Sequence, residues 1–576
     1  MYNHISGATL INCSFENNSA GAYGGGLCSS PGSITLNQCS FSNNTAGNGG
    51  GGLHLEGTGT LEGCTFTGNT ARDGGGMTSV GKAILNRCIF SNNIANRNGG
   101  GTSFWSAYSE QTLTLCTFTN NTAAENGGGM SCDGPGGFTS CTFSGNLANK
   151  GGGVAFSSTT SQYFSDCTFE LNTGNYGGGM ACLRASPTLS SCSITNNRSD
   201  DLGGGVYCEY SDPTLTACPI SNNRSFSSGA GMYCESSNPT LTHCPISDNL
   251  AGWSGGGLHC HSSNPAVVAC TISGNSASAH GGGVWCSESS PAFTNCIVAE
   301  NQATWDGGGV FCSASNPALT NCMISDNSAG TLDEGGGLYC VESDPTLSHC
   351  TISSNWAGSA GGGISCSSSD PTLTNCIVWG DIPDALHLES GTPMVTYSNI
   401  EGPWDGEGNI DADPVFVAPE NGDYHLSRGS PCIDTGTSEG APATDYEGDA
   451  RPQGDGFDMG ADEYVASNCD LKVELSRYPT SVARGGTGTF TAAAVNSCEE
   501  ALGFDEATMT VTGPAGVEKV LYEGPRISVL PGTSVQSPIS LAVPTNVPLG
   551  AYTVRVAVFW AGETIDAAAF EVDVTE

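Results

Sequence analysis

The stretch GGGVYCEYSDPTLTACPISNNRSFSS, residues 203–228, decides the fold. It contains three short runs in which apolar and polar residues alternate. Val206 and Cys208 share one face of the first run, Thr214 and Thr216 flank Leu215 in the second, and Cys218 and Ile220 share one face of the third. A period of two marks half-buried extended strands, and the Gly, Asp, Pro and Asn residues between the runs mark turns. Working outward, the unit recurs. One Cys stands at 13, 39, 64, 88, 116, 141, 167, 192, 218, 244, 270, 296, 322, 350 and 376, at spacings of 24 to 28, and a glycine run such as Gly361–Gly363 precedes nearly every copy. A fixed period of this size signals a solenoid. One coil cannot bury its apolar face alone, but stacked coils pair strand over strand around a continuous core. The expected fold of residues 1–400 is all-β: a parallel β-helix of about 15 coils with three strands per coil. At ~4.8 Å per strand the stack is ~70 Å long.

Composition removes several classes of function. Gly is 83 of 576 residues without a collagen period, and charged residues are only 12%, which suits β-rich modules. The formal charge is -40, from 16 basic and 56 acidic residues, and no Lys or Arg occurs between Arg224 and Arg428. Phosphate binding needs basic residues, so nucleic acid is not an expected partner, nor is an anionic membrane surface. No apolar run is long enough for a transmembrane helix.

Two recurring residue types follow from the coil. Asn stands three residues after the aromatic or aliphatic residue of the third strand, as in Phe15/Asn18, Phe41/Asn44, Ile272/Asn275 and Ile324/Asn327. Stacked Asn side chains form hydrogen-bonded ladders, which accounts for the N-x-S/T sequences at Asn17 and Asn197 without glycosylation. A second Cys series, at 132, 182, 208, 234, 260, 286, 312, 340 and 366, lies nine or ten residues before the first. A bridge within each coil is one option. Leu55, Ser79, Phe104 and Phe156 replace the second series while Cys64, Cys88, Cys116 and Cys167 remain. Bridged partners would be lost together, and a buried Cys behaves as a small hydrophobe, so ladders of mostly free thiols are expected. Without CxxC pairs, zinc is not expected.

The unit, with its F-x-x-N and Gly-Gly-aliphatic elements, resembles the right-handed β-helix repeats of bacterial surface proteins, including polymorphic outer-membrane-protein repeats, although GGG stands here where those have GGA. The tract Tyr397-Ser398-Asn399-Ile400, with GNIDADPVF (408–416), GDYHLSRGSPCIDTG (422–436) and DMGADEY (458–464), resembles the C-terminal segment of "choice-of-anchor Q" β-helix proteins. The resemblance implies a right-handed coil, export, and residues 401–466 as a closing coil and cap. Met1-Tyr2 aligns with Met232-Tyr233, in the middle of a coil, so an N-terminal cap and a signal peptide are expected upstream.

After Tyr464 the repeat stops. Residues 469–576 alternate apolar and polar, as in Thr553–Phe559, with turn signals at Gly485-Gly486, Gly513-Pro514 and Pro531-Gly532. This reads as an immunoglobulin-like β-sandwich, and VPLGAYTVRV (547–556) is similar to the closing hairpin of bacterial Ig-like accessory domains. Cys469 and Cys498 are candidates for a bridge in an oxidising compartment.

The sequence offers no catalytic constellation. A β-helix polysaccharide lyase needs a basic residue opposite carboxylates, and a hydrolase needs paired carboxylates at a fixed separation. Glu209, Glu235, Glu288 and Asp306 are scattered instead. No cofactor is expected. Asp434, Asp445, Asp449, Asp455 and Asp458 are candidates for Ca²⁺, although solvated turns account for them. One pattern stands out. Between the two inward positions of the first strand one residue must point outward, and in six successive coils it is Tyr207, Tyr233, His259, Trp285, Phe311 and Tyr339. A column of exposed rings at ~4.8 Å per coil would stack sugar rings or a partner's apolar surface. Tyr176, Trp253 and Trp305 would flank it; the plainer alternative is that same-face aromatic neighbours stabilise the sheet. Outward Thr214/Thr216, Thr240/Thr242 and Thr372/Thr374 also suggest an ice-binding array, interrupted by Ala266/Val268, Ala292 and Ala318. The expectation is a secreted or cell-surface, non-catalytic adhesin-like protein that binds a polysaccharide or a cell-surface glycan or protein. A β-helix polysaccharide lyase or glycoside hydrolase and an ice-binding solenoid are the alternatives.

Overall fold

The computed structural model describes residues 1–4, 7–106, 108–465, 471–496, 502–504, 506–512, 518–524, 527–529, 534–560 and 563–576. These fall into two compact units. The first comprises 1–414, 419–424 and 432–463, and the second 415–418, 425–431 and 464–576. The expected cap segment 401–466 is thus shared between them.

The first unit is a parallel β-solenoid with three sheets of sixteen strands each. Neighbouring coils pair in register, Val206 with Met232 and Cys208 with Cys234 in the first sheet, Leu215 with Leu241 in the second, and Ile220 with Ile246 in the third. The sixteenth coil, Leu386–Leu388, Met394–Thr396 and Asn399–Ile400, escapes a count of cysteines. Ser398 replaces Cys there, and its hydroxyl accepts the backbone N–H of Cys376 at 3.0 Å. A fourth side also exists. Two-residue strands such as Thr45–Ala46 and Leu250–Ala251 form additional sheets of five and six strands along the stack.

Sharp corners explain the repeat's turn residues. The residue before the first-series Cys lies in the left-handed region, as at Ser191, Ala217 and His243, with φ of 51–52°. Gly203 has φ +66°, and a Cβ on Gly205 would stand 2.6 Å from the carbonyl oxygen of Gly231 in the next coil. The glycine run therefore serves both a left-handed turn and close coil-to-coil approach.

Inside, each inward position forms a column. Phe15, Phe41, Phe66, Phe90, Phe118, Phe143 and Phe169 stack with centroids 4.6–5.1 Å apart and planes within 7°, and Ile and Val continue the column from Ile194 to Val378. The expected Asn ladder is present and buried. Asn223 Nδ2 donates to Asn249 Oδ1 at 3.0 Å and to the Ile194 carbonyl at 2.9 Å, and Asn249 Oδ1 also accepts the backbone N–H of Asn223. Asn197 is one rung and is 1% exposed, so its N-x-S sequence serves the core. Apart from Cys13, the thiols of both Cys series are buried, and all of them are free. Burial pushes the Cys132 thiol up to about 12.

Residues 432–463 pack along the last coils. Asn375 and Thr437 exchange two hydrogen bonds, at 2.7 and 2.8 Å, and Ala461 N–H donates to Thr351 Oγ1 at 2.9 Å. The structure corrects the reading of the acidic cluster as solvated turns for Asp445 and Asp458, which are buried. Asp445 Oδ1 accepts the backbone N–H groups of Glu447, Gly448 and Asp449, Asp458 Oδ1 accepts that of Asp434, and Asp434 Oδ1 accepts that of Gly456. Buried Arg451 pairs with buried Glu463 at 3.3 Å. The buried carboxylates of Asp445, Asp458 and Glu463 are thus engaged by backbone donors, as buried charges require.

The second unit is a β-sandwich. Leu471–Ser476, Thr487–Asn496 and Ser534–Ala542 form one antiparallel sheet, and a five-stranded sheet includes Glu506–Thr512, Gly550–Trp560 and Glu563–Thr575. Val473 and Phe490 from the first sheet share one buried cluster with Met509, Val554 and Phe570 from the second. Cys469 and Cys498, and with them the bridge considered above, lie outside the described residues.

Candidate aromatic binding face

The six predicted column residues do come together. Centroid separations run 5.8 Å for Tyr207–Tyr233, 4.6 Å for Tyr233–His259, 4.2 Å for His259–Trp285, 6.3 Å for Trp285–Phe311 and 5.3 Å for Phe311–Tyr339, with planes within 26°. The expectation that the rings are exposed is corrected. Tyr207, Tyr233, His259 and Phe311 are only 6–8% exposed, and Trp285 and Tyr339 are half-buried. The cover comes from the turns that precede the glycines. Tyr176 packs on Tyr207 at 5.3 Å, and His280 on Phe311 at 4.6 Å. Near the N-terminal end Tyr23 covers His54 in the same way, at 4.6 Å, and His54 Nδ1 lies 2.7 Å from Thr78 Oγ1.

Burial sets the electrostatics of the column. It pushes the Tyr207 and Tyr233 phenols up, aided by Glu209 and Glu235, and the Tyr339 phenol up to about 12. Desolvation drives His259 down to about 3. The stack is therefore uncharged around neutral pH, as a group of rings shielded from water requires.

Aromatic surface is nevertheless presented beside it. Phe226 is 76%, Trp253 52% and Trp305 40% exposed. Trp305 rests on His280 at 5.1 Å, and Trp253 meets Trp305 edge-on at 5.3 Å. The buried column thus backs an exposed ledge at the turn corner. Trp253 and Trp305 were visible in the sequence as flanking residues, whereas Phe226 was missed because its coil offers no second aromatic in register. An open depression of about 410 Å³ adjoins the ledge, lined by Arg224, Phe226, Leu250, Gly252, Trp253 and Ser278. Among the described residues no group of three or more His, Cys, Asp and Glu side chains is arranged to hold a metal ion. No helix of the described residues is long and apolar enough to cross a membrane. On the second sheet, Thr214 and Thr240 are followed in register by Ala266, Ala292 and Ala318 before Thr346 and Thr372, so the threonine array is broken in the middle.

The right handed beta helix region family matches residues 1–169, 106–264, 218–337 and 257–404, which together span well over half of the chain. The chain belongs to that family. This right-handed β-helix has no match among curated proteins. Among solved structures it is similar to a β-glucosidase from Listeria innocua in complex with glucose, at 13% identity, covering 21% of this chain and 18% of that chain with a TM-score of 0.16. It is also similar to Spo0M, a sporulation control protein from Bacillus subtilis, at 12% identity, covering 19% and 50% with a TM-score of 0.16. A CARDB domain from Pyrococcus furiosus in complex with di-metal ions is similar at 18% identity, covering 20% of this chain and 99% of that domain with a TM-score of 0.15. These slight likenesses carry no functional argument.

Proposed function

We propose that this right-handed β-helix is a non-catalytic binding protein of the cell surface or extracellular space, with a glycan as its ligand. The observation that carries the reading is the exposed ledge of Trp253 and Trp305, joined to the stacked column through His280, with exposed Phe226 beside Trp253. Exposed apolar patches mark binding surfaces, and rings already held by packing contacts lose little freedom on meeting a ligand. The ligand face is therefore the ledge, with Trp285 and Tyr339, the half-buried members of the column, at its border. Tyr207, Tyr233, His259 and Phe311 support it from behind. The resemblance of residues 397–464 to choice-of-anchor Q segments supports display at a surface. A glycan-array screen of the whole chain tests the reading. Binding to a defined set of glycans that is lost in Trp253→Ala supports it, and an array without signal rejects it.

A further inference from the structure

We infer that the depression beside Trp253 takes a glycan carrying a single carboxylated sugar, with Arg224 reading the carboxylate; this rests on the glycan-binding reading above and names its ligand class. The hollow of about 410 Å³ spans the turns of three successive coils. Phe226 and Trp253 form open apolar walls. Gly252 stands between them because a Cβ there would collide with the Phe226 carbonyl oxygen, so that position carries no side chain.

Arg224 supplies the polar contact. Its register neighbours on the fourth side are Arg198 and Leu250. The Arg198 guanidinium is held by Asp200 at 2.8 Å, whereas Arg224 has no ion pair among the described residues and its side chain is exposed. It is the last basic residue before Arg428 in a chain of formal charge -40. An uncommitted guanidinium beside aromatic walls matches one planar anion, because its fork of N–H donors fits the two oxygens of a carboxylate. The surrounding acidity sets the other limit. A ligand charged along its whole length meets like charge beyond the reach of one arginine, whereas a neutral glycan with one acidic sugar does not.

The test uses the full chain and matched glycan pairs that differ by one carboxylated sugar, with sialyllactose and lactose as the named pair and polygalacturonate as the polyanionic probe. The acidic member should bind about tenfold tighter, in line with one charge-assisted contact. Arg224→Gln should bring the two members to equal affinity, whereas Trp253→Ala should weaken both, with circular-dichroism melts confirming the fold of each variant. Equal affinities in the parent chain, a preference that survives Arg224→Gln, or polygalacturonate binding tighter than sialyllactose would overturn the inference. Neutral binding without acid preference overturns this inference and leaves the glycan-binding reading standing; a chain that binds no member of any pair loses both.

Discussion

The coils between Phe15 and Phe169 and those between Tyr207 and Tyr339 both stack aromatic rings, on opposite sides of the wall. The first group points its rings inward from the third sheet, with planes within 7° of parallel. The second points them outward from the first sheet, where they tilt by up to 26°. Yet both are largely out of water. The inward rings are sealed by the three sheets, whereas the outward ones are sealed by turns of neighbouring coils. Direction relative to the strand therefore does not decide exposure in a solenoid whose turns fold back over a face.

Substitutions order the two regions by depth. Phe118→Ala removes a ring from the sealed core and should cost about 3–5 kcal/mol in denaturant unfolding. Phe311→Ala, in the turn-covered column, should cost about 2 kcal/mol or more; an unchanged midpoint would mean that the turns do not hold the column. Trp253→Ala, on the ledge, should cost less than about 1 kcal/mol.

Two buried titratable groups extend the comparison to the last coils. Asp381 ends the Asn ladder, with Oδ1 accepting Asn355 Nδ2–H at 2.9 Å and Asn355 N–H at 2.8 Å, and burial raises its carboxyl to about 8. The folded chain thus holds a proton that the unfolded chain releases near pH 4, so this group's contribution falls as pH rises from about 4 to about 8. Asp381→Asn should gain on the parent chain steadily over that range in thermal melts, and a constant difference would contradict the assignment. His349 runs the other way. It is buried, its Nε2 lies 2.8 Å from Asn375 Nδ2, and desolvation with Arg451 nearby lowers it to about 3. Its contribution is complete above pH 6.5 and is lost as pH falls toward 3. His349→Gln should flatten the acid limb of the melting profile. The smallest effect concerns the thiols. The denatured chain should titrate thiols at nearly every cysteine of the two series without reductant, and a largely oxidised chain would contradict the free ladders.

The sequence carried the columns well because every inward position repeats once per coil. Val206, Cys208, Leu215, Ile220 and Asn223 each announce a ladder, and substitutions such as Phe104 for Cys mark the site as inward. The fourth side was not legible, since a two-residue strand such as Leu250–Ala251 is too short to show a period. The cover over Tyr207 and Phe311 was not legible either, because it is supplied by Tyr176 and His280 from adjacent coils, and a linear pattern does not show how far a turn folds back. Asp445 and Asp458 misled for a related reason, in that acidic turn residues are usually solvated and these two are enclosed by backbone donors.

The central claim is that the turn ledge binds and the stacked column supports it. Its most direct test compares Trp253→Ala/Trp305→Ala with Trp285→Ala/Phe311→Ala in a glycan-binding titration paired with thermal melts of the same samples. The ledge pair should lose most glycan affinity while its melting temperature stays close to that of the parent chain, and the column pair should lower the melting temperature by several degrees. A ledge pair that keeps full affinity, with the column pair folded and unable to bind, would contradict the account and return the ligand to the column.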